Sequence, residues 1–172
     1  MQISRFAPVF YSAKGDFFMN IEYINPFIEA SQLVLNKSAG VSVRLGKVYI
    51  RKTPFEEGTP LIEVGLTGKI RGTALLNIPS PIALRIISQM MYGMEITEID
   101  ELGVSALSEL ANMIMGNTAT ILYNKGIGID ITTPKMFFGD GTILPPADMT
   151  TVSIPLVVDG GGTIELNVSV LG

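Results

Sequence analysis

The 172-residue chain contains neither histidine nor cysteine. Without histidine there can be no Ser-His or Cys-His nucleophile pair, no histidine metal site and no phosphohistidine intermediate. Any catalysis has to be run by carboxylates, amides, hydroxyls or a borrowed metal. The absence of cysteine fits a reducing cytoplasm, the compartment expected for this chain. There is no basic run, and the formal net charge is −4, which argues against non-specific nucleic-acid binding. No stretch approaches the ~18 apolar residues that a membrane helix needs. What remains is 47% apolar and 16% charged, the composition of an ordered globular chain. Its length suits one domain with a sizeable core.

The segment that reads most cleanly is Glu101 to Asn124, ELGVSALSELANMIMGNTATILYN. At about 100° and 1.5 Å per residue, Leu107, Leu110, Ala111, Ile114, Thr118 and Ile121 fall on one side of a helix. That stripe is wide enough to dock on a sheet or another helix. Ser105, Glu109, Asn112 and Gly116 fall on the opposite side. Most of that side is small, so Glu109 and Asn112 stand clear of it, about one turn apart. A carboxylate can pair with a partner's cation. A carboxamide both donates and accepts hydrogen bonds and can hold a water molecule in one orientation. Gly116 leaves room for another molecule's backbone. On spacing alone, a glutamate and an asparagine on an outer helix face are ordinary solvated residues.

The stretch SELANMIMGNTAT, with Glu109 and Asn112 followed by Gly116-Asn117, resembles the signature of the CheC/CheX/FliY phosphatases of bacterial chemotaxis. The flanks Met91-Tyr92-Gly93-Met94-Glu95, Glu101-Leu102 and Ile129-Asp130-Ile131-Thr132-Thr133-Pro134 resemble the CheX branch. The likeness runs from about Met19 to the C-terminus. It implies a single domain over residues 19–172. The implied fold is α/β (α+β), a mixed, largely antiparallel sheet covered by helices on one face, with an internal pseudo-two-fold repeat. Residues 1–18 are expected to be an N-terminal extension, disordered or non-native.

The rest of the chain reads as follows. Asn25-Pro26 opens a helix as N-cap and first helical position, and that helix ends near Ser38-Ala39-Gly40. Within it Glu29-Ala30-Ser31-Gln32 can be laid against Glu109-Leu110-Ala111-Asn112. CheC-type relatives carry two copies of the motif and CheX-type relatives one. A degenerate second site at Glu29 and Gln32 and an ordinary solvated helix face are both open. Val41 to Arg51 alternates as a strand, and Lys52 to Pro60 is a charged loop. Leu61–Gly68 and Arg71–Pro79 form a hairpin. Ser80-Pro81 starts a helix as N-cap and N1, apolar on most sides, and Gly93 stops it. Gly128 to Thr133 is a short strand ended by Pro134, and residues 135–148 are a loop-rich connection. Met149–Asp159 and Thr163–Leu171 form the last hairpin, across three glycines that read as a turn.

The resemblance implies hydrolysis of the aspartyl phosphate of a CheY-type response regulator. Carried over, Asn112 orients the attacking water and Glu109 pairs with the regulator's lysine. Ser105, Ser108 and Gly116 would contact the partner. No cofactor or metal of its own is implied, because Mg²⁺ belongs to the phosphorylated regulator. A homodimer is implied as well, with strand pairing as one route. Two other readings stay open: a non-catalytic module like the flagellar switch proteins, and a phosphatase of a regulator outside chemotaxis.

Overall fold

A computed structural model describes residues 21–171; the N-terminal extension lies outside them. In chain order the elements are α1 (Ile21–Ala39), β1 (Val43–Leu45), β2 (Tyr49–Ile50), β3 (Pro60–Gly68), β4 (Gly72–Asn77), α2 (Ser80–Met90), α3 (Glu101–Asn124), β5 (Ile129–Ile131), β6 (Lys135–Phe138), β7 (Met149–Val158) and β8 (Thr163–Leu171).

The strands make one sheet in the order β1-β7-β8-β4-β3-β5, with β2 also on β7 and β6 also on β3. Every described pairing is antiparallel. Strand side chains alternate between faces, and the burial follows. Ile62, Val64, Ala74, Leu76, Ile154, Leu166 and Val168 join α1, α2 and α3 in one core cluster. The helices therefore cover one face, as expected. The other face carries a smaller cluster of Phe55, Leu61 and Leu75. It also carries a polar network around Arg51, whose guanidinium pairs with Glu165 at 2.5 Å. The succession of helix, broken edge strand and two long strands occurs twice, once from α1 and once from α3. Each broken edge hydrogen-bonds the first long strand of the other half.

Four local expectations are corrected. Pro26 is inside α1, not at its first position; Ile24 and Phe27 are core residues, and packing them outweighs the roughly 3 kcal/mol that an interior proline costs. The strand expected over Val41–Arg51 is two pieces. Gly46, Lys47 and Val48 stand against only Ile154 and Pro155, and Pro155 has no N–H to offer the ladder. Ser80 does not cap α2, whose N-cap is Pro79 with no side-chain bond; its hydroxyl donates to the Gly58 carbonyl at 3.5 Å instead. The connection over residues 135–148 contains the strand β6, laid along Pro60–Glu63 of β3.

Candidate active site

The helix α3 has the bounds expected from sequence, and its position is fixed at its N-terminal end and along one side. Asp100 is the N-cap, its carboxylate accepting from the Gly103 N–H at 2.9 Å. Carboxylates are the preferred partners for these unpaired amides and for the positive end of the helix dipole. Gly103 is buried because α2 comes close: a Cβ there would sit 3.1 Å from Ile87 Cδ1. Leu107, Leu110, Ile114 and Leu122 are fully buried. The apolar stripe differs from expectation at its C-terminal end, where Leu122 is buried and Ile121 only half-buried. Met115 also joins the core.

This seating leaves Ser105, Glu109 and Asn112 on the exposed side. Their outward aim is therefore a consequence of the leucines and isoleucine on the other side. Neither the Glu109 carboxylate nor the Asn112 amide has a hydrogen-bond or ion-pair partner among the described residues. Asn117, one turn further on, is different: its amide donates to the Met113 carbonyl at 2.8 Å. Of the two asparagines in the motif, only Asn112 keeps its amide available.

Both motif residues line an open groove of about 510 Å³. The α3 wall is Val104, Ser105, Ser108, Glu109 and Asn112. The opposite wall is Ile131, Thr132, Thr133 and Pro134, the interval between β5 and β6. There three residues, Thr132 to Pro134, stand against two of β3, Val64 and Gly65. The ladder cannot continue through such a mismatch. Thr132 bridges it by accepting the Gly65 N–H on Oγ1 at 2.7 Å and donating its own N–H to the Gly65 carbonyl at 3.0 Å.

The expected site residues are therefore brought together in part. Glu109, Asn112, Ser105 and Ser108 share the groove. Gly116 lies one turn beyond it, with nothing within 4 Å of where a Cβ would stand. Glu29 is exposed and Gln32 half-buried on α1, and neither lines this groove. The wall of Ile131 to Pro134 was not anticipated from sequence as part of the site. Pro134 marks the break, but no local pattern says which helix the break will face.

The groove contains one acid, one amide, four hydroxyls from Ser105, Ser108, Thr132 and Thr133, and no base. It has no cation with which to bind a phosphate. It can orient a water molecule and present a carboxylate to a cation supplied from outside. Among the described residues no group of three or more acids could hold a metal ion. Among the described residues no helix is long and apolar enough to cross a membrane.

Known proteins share both the sequence and the fold. The family model described as chemotaxis phosphatase CheX matches residues 61–157. The CheY-P phosphatase CheX of Thermotoga maritima is 42% identical over 121 residues, covering 70% of this chain and 78% of that one. A CheC-like superfamily protein from Shewanella sp. PV-4 superposes with a TM-score of 0.80 at 26% identity, over 90% of this chain and all of that one. The Borrelia burgdorferi CheX, solved as a CheX-CheY-BeF3-Mg²⁺ complex, gives 0.74 at 27% identity, over 87% of this chain and 98% of that one. A free carboxamide and carboxylate on the outer face of α3 thus sit in a chain that belongs to the CheX family of chemotaxis phosphatases.

Proposed function

We propose that this protein hydrolyses the aspartyl phosphate of a CheY-type receiver domain, with Asn112 orienting the attacking water and Glu109 pairing with the receiver's active-site lysine. The observation that carries the reading is the unpartnered Asn112 amide, exposed on the same groove as Glu109. The relative from Thermotoga maritima bears the name CheY-P phosphatase, and the Borrelia burgdorferi relative was crystallised with CheY.

The chemistry asks little of the chain. An aspartyl phosphate is an acyl phosphate and already activated. Water attacks phosphorus, the bond from phosphorus to the acyl oxygen breaks, and aspartate and inorganic phosphate are released with the water's proton. What the enzyme contributes is placement, and placement supplies much of the barrier reduction in phosphoryl transfer. The Asn112 carbonyl accepts from the water and its NH₂ donates to a phosphoryl oxygen, which aligns attack. The Mg²⁺ travels with the phosphorylated receiver as part of the substrate, so this chain needs no cofactor of its own. Compartment and substrate agree, since receivers of this kind act in the cytoplasm. The test is phosphate release from purified phosphorylated receivers with and without the protein. Acceleration is expected, and its absence with every receiver tried would end the reading.

We also propose that two copies associate through sheet edges. The edge strands β1, β2 and β6 carry Leu45, Ile50 and Phe138, all exposed, and an open edge offers unpaired backbone groups. Light scattering over a concentration series is expected to give twice the chain mass; a monomer throughout would remove the claim.

A further inference from the structure

Asn112 can act only on a phosphoryl group that is brought to it, and the groove offers little to hold the molecule that brings it. Its walls are four serine and threonine residues, one acid, one amide and the apolar Val104, Ile131 and Pro134, without a leucine or an aromatic side chain among them. The docking of two folded domains is usually carried by a few side chains packed against the partner near the centre of the contact.

The helix α3 holds such a residue next to the groove. Of its four leucines, Leu107, Leu110 and Leu122 are fully buried, whereas Leu102 is 59% exposed. Seven positions before Glu109, it lies within about 20° of the same helix face and about 10 Å along the axis. Ser105, which lines the groove, is the next residue along that face. The surroundings have one sign of charge. Between residues 86 and 124 the chain has five acids, Glu95, Glu98, Asp100, Glu101 and Glu109, and no base. That stretch carries −5 in a chain whose net charge is −4, so the remainder is net positive. Four of the five acids precede or flank Leu102. A matching surface is apolar at its middle and cationic around it. Across the groove, the wall at Thr132 to Pro134 is held by the two Gly65 hydrogen bonds.

We propose that Leu102 is the apolar anchor on which the phosphorylated receiver domain seats, with the strand break at Thr132–Pro134 as the opposing wall. The receiver's phosphorylation face, bearing its lysine and metal ion, is the occupant that fits the acidic surround. This rests on the function proposed above and extends it from the reacting groups to the docking surface.

The test is steady-state phosphate release against concentration of phosphorylated receiver for the wild type, Leu102→Ala and Leu102→Asp. The anchor predicts a KM raised about five- to tenfold in Leu102→Ala, the loss of an interface side chain that contributes above the near-neutral majority, and raised further in Leu102→Asp. The rate at saturation stays within about twofold, since Asn112 and Glu109 are untouched. Because the side chain is exposed, circular dichroism and thermal midpoint should match the wild type. An unchanged KM in both variants overturns the proposal, as does a lowered kcat at unchanged KM. So does loss of self-association with unchanged KM, which would assign Leu102 to a second copy of this chain. If the wild type itself releases no phosphate from any receiver, the parent reading fails and this one with it; normal wild-type turnover with indifferent Leu102 variants sinks this one alone.

Discussion

Thr132 and Gly65 are joined twice, by the Gly65 N–H donating to Thr132 Oγ1 at 2.7 Å and by the Thr132 N–H donating to the Gly65 carbonyl at 3.0 Å. A side-chain oxygen takes the place of the backbone acceptor that three residues facing two cannot supply. Only glycine fits opposite, since a Cβ on Gly65 would lie 2.9 Å from both Thr132 Cγ2 and Oγ1. The wall of the groove is therefore built from a contact 67 residues apart in the chain.

Replacing Thr132 by valine keeps the shape and removes the acceptor. The expected loss of stability is small, about 0.5–1.5 kcal/mol, because Gly65 is half-exposed and water can serve its N–H. The larger effect falls on the groove: KM for the phosphorylated receiver rises, and Thr132→Ser restores it. A denaturant series and a KM measurement on the same three proteins check this; a serine variant no better than valine would show that the hydroxyl does not hold the wall.

Asn112→Ala removes the one free amide in the groove. Turnover of the phosphorylated receiver should fall by about 10²-fold or more, the order expected when a reacting group loses its positioning. Thermal stability should not change, because the side chain is exposed and makes no internal hydrogen bond. Receiver binding measured by calorimetry should stay within a few-fold. Wild-type turnover in this variant would end the assignment of Asn112.

Glu109→Gln keeps size and removes charge. Binding should weaken about three- to thirtyfold, and its salt dependence should flatten, as for a charge pair formed across an interface. Affinity titrations at two ionic strengths provide the check. An unchanged affinity with an unchanged salt slope would mean that Glu109 meets no cation.

On the other face of the sheet, Arg51 is expected to matter for stability and not for turnover. Its Nη2 pairs with Glu165 at 2.5 Å and its Nε donates to Asn167 Oδ1 at 3.1 Å. Its guanidinium also lies 4.7 Å from the Phe55 ring centre. Asn167 is fully buried and donates to the Leu75 carbonyl at 3.2 Å. Arg51→Met leaves the Glu165 carboxylate without its cation and should cost about 2–4 kcal/mol in a urea unfolding curve. Pairing it with Glu165→Gln should recover part of the loss. None of these residues lines the groove, so kcat below the unfolding temperature should be unaffected.

Tyr49 belongs to the same network and provides a pH prediction. Burial, then its hydrogen bond to Glu165 at 2.8 Å, raises its pKa above the ordinary 10.0. A group whose folded value is raised contributes stability that is fully present below its unfolded value and is lost as pH rises through the folded one. The network should therefore be at full strength at neutral pH and weaken above about pH 10. Absorbance titration of the tyrosinates should show one late-ionising tyrosine that is missing in Tyr49→Phe.

How far the sequence reached depends on the distance between interacting groups. Local helix physics, with its short period, placed α3 to the residue, named most of its buried stripe, and set Glu109 and Asn112 on the outer face. The hairpin of β3 and β4 was legible for the same reason, since its partners are neighbours in the chain. Pro26 and Ser80 were misread because local propensity favours helix starts there, whereas core packing of Ile24 and Phe27 carries α1 through the proline. The strand β6 was missed because four residues, Lys135 to Phe138, carry too short an alternation; they are a strand only by pairing with Pro60–Glu63.

By itself, then, the sequence determined which side chains leave the long helix together and which family they resemble. The tertiary structure alone decided what stands across from them. A helix hydrogen-bonds within itself, so its faces follow from order along the chain. A sheet edge hydrogen-bonds to residues far away, so the break at Thr132–Pro134 becomes a groove wall only once β3 has met β5 and β6 beneath α3.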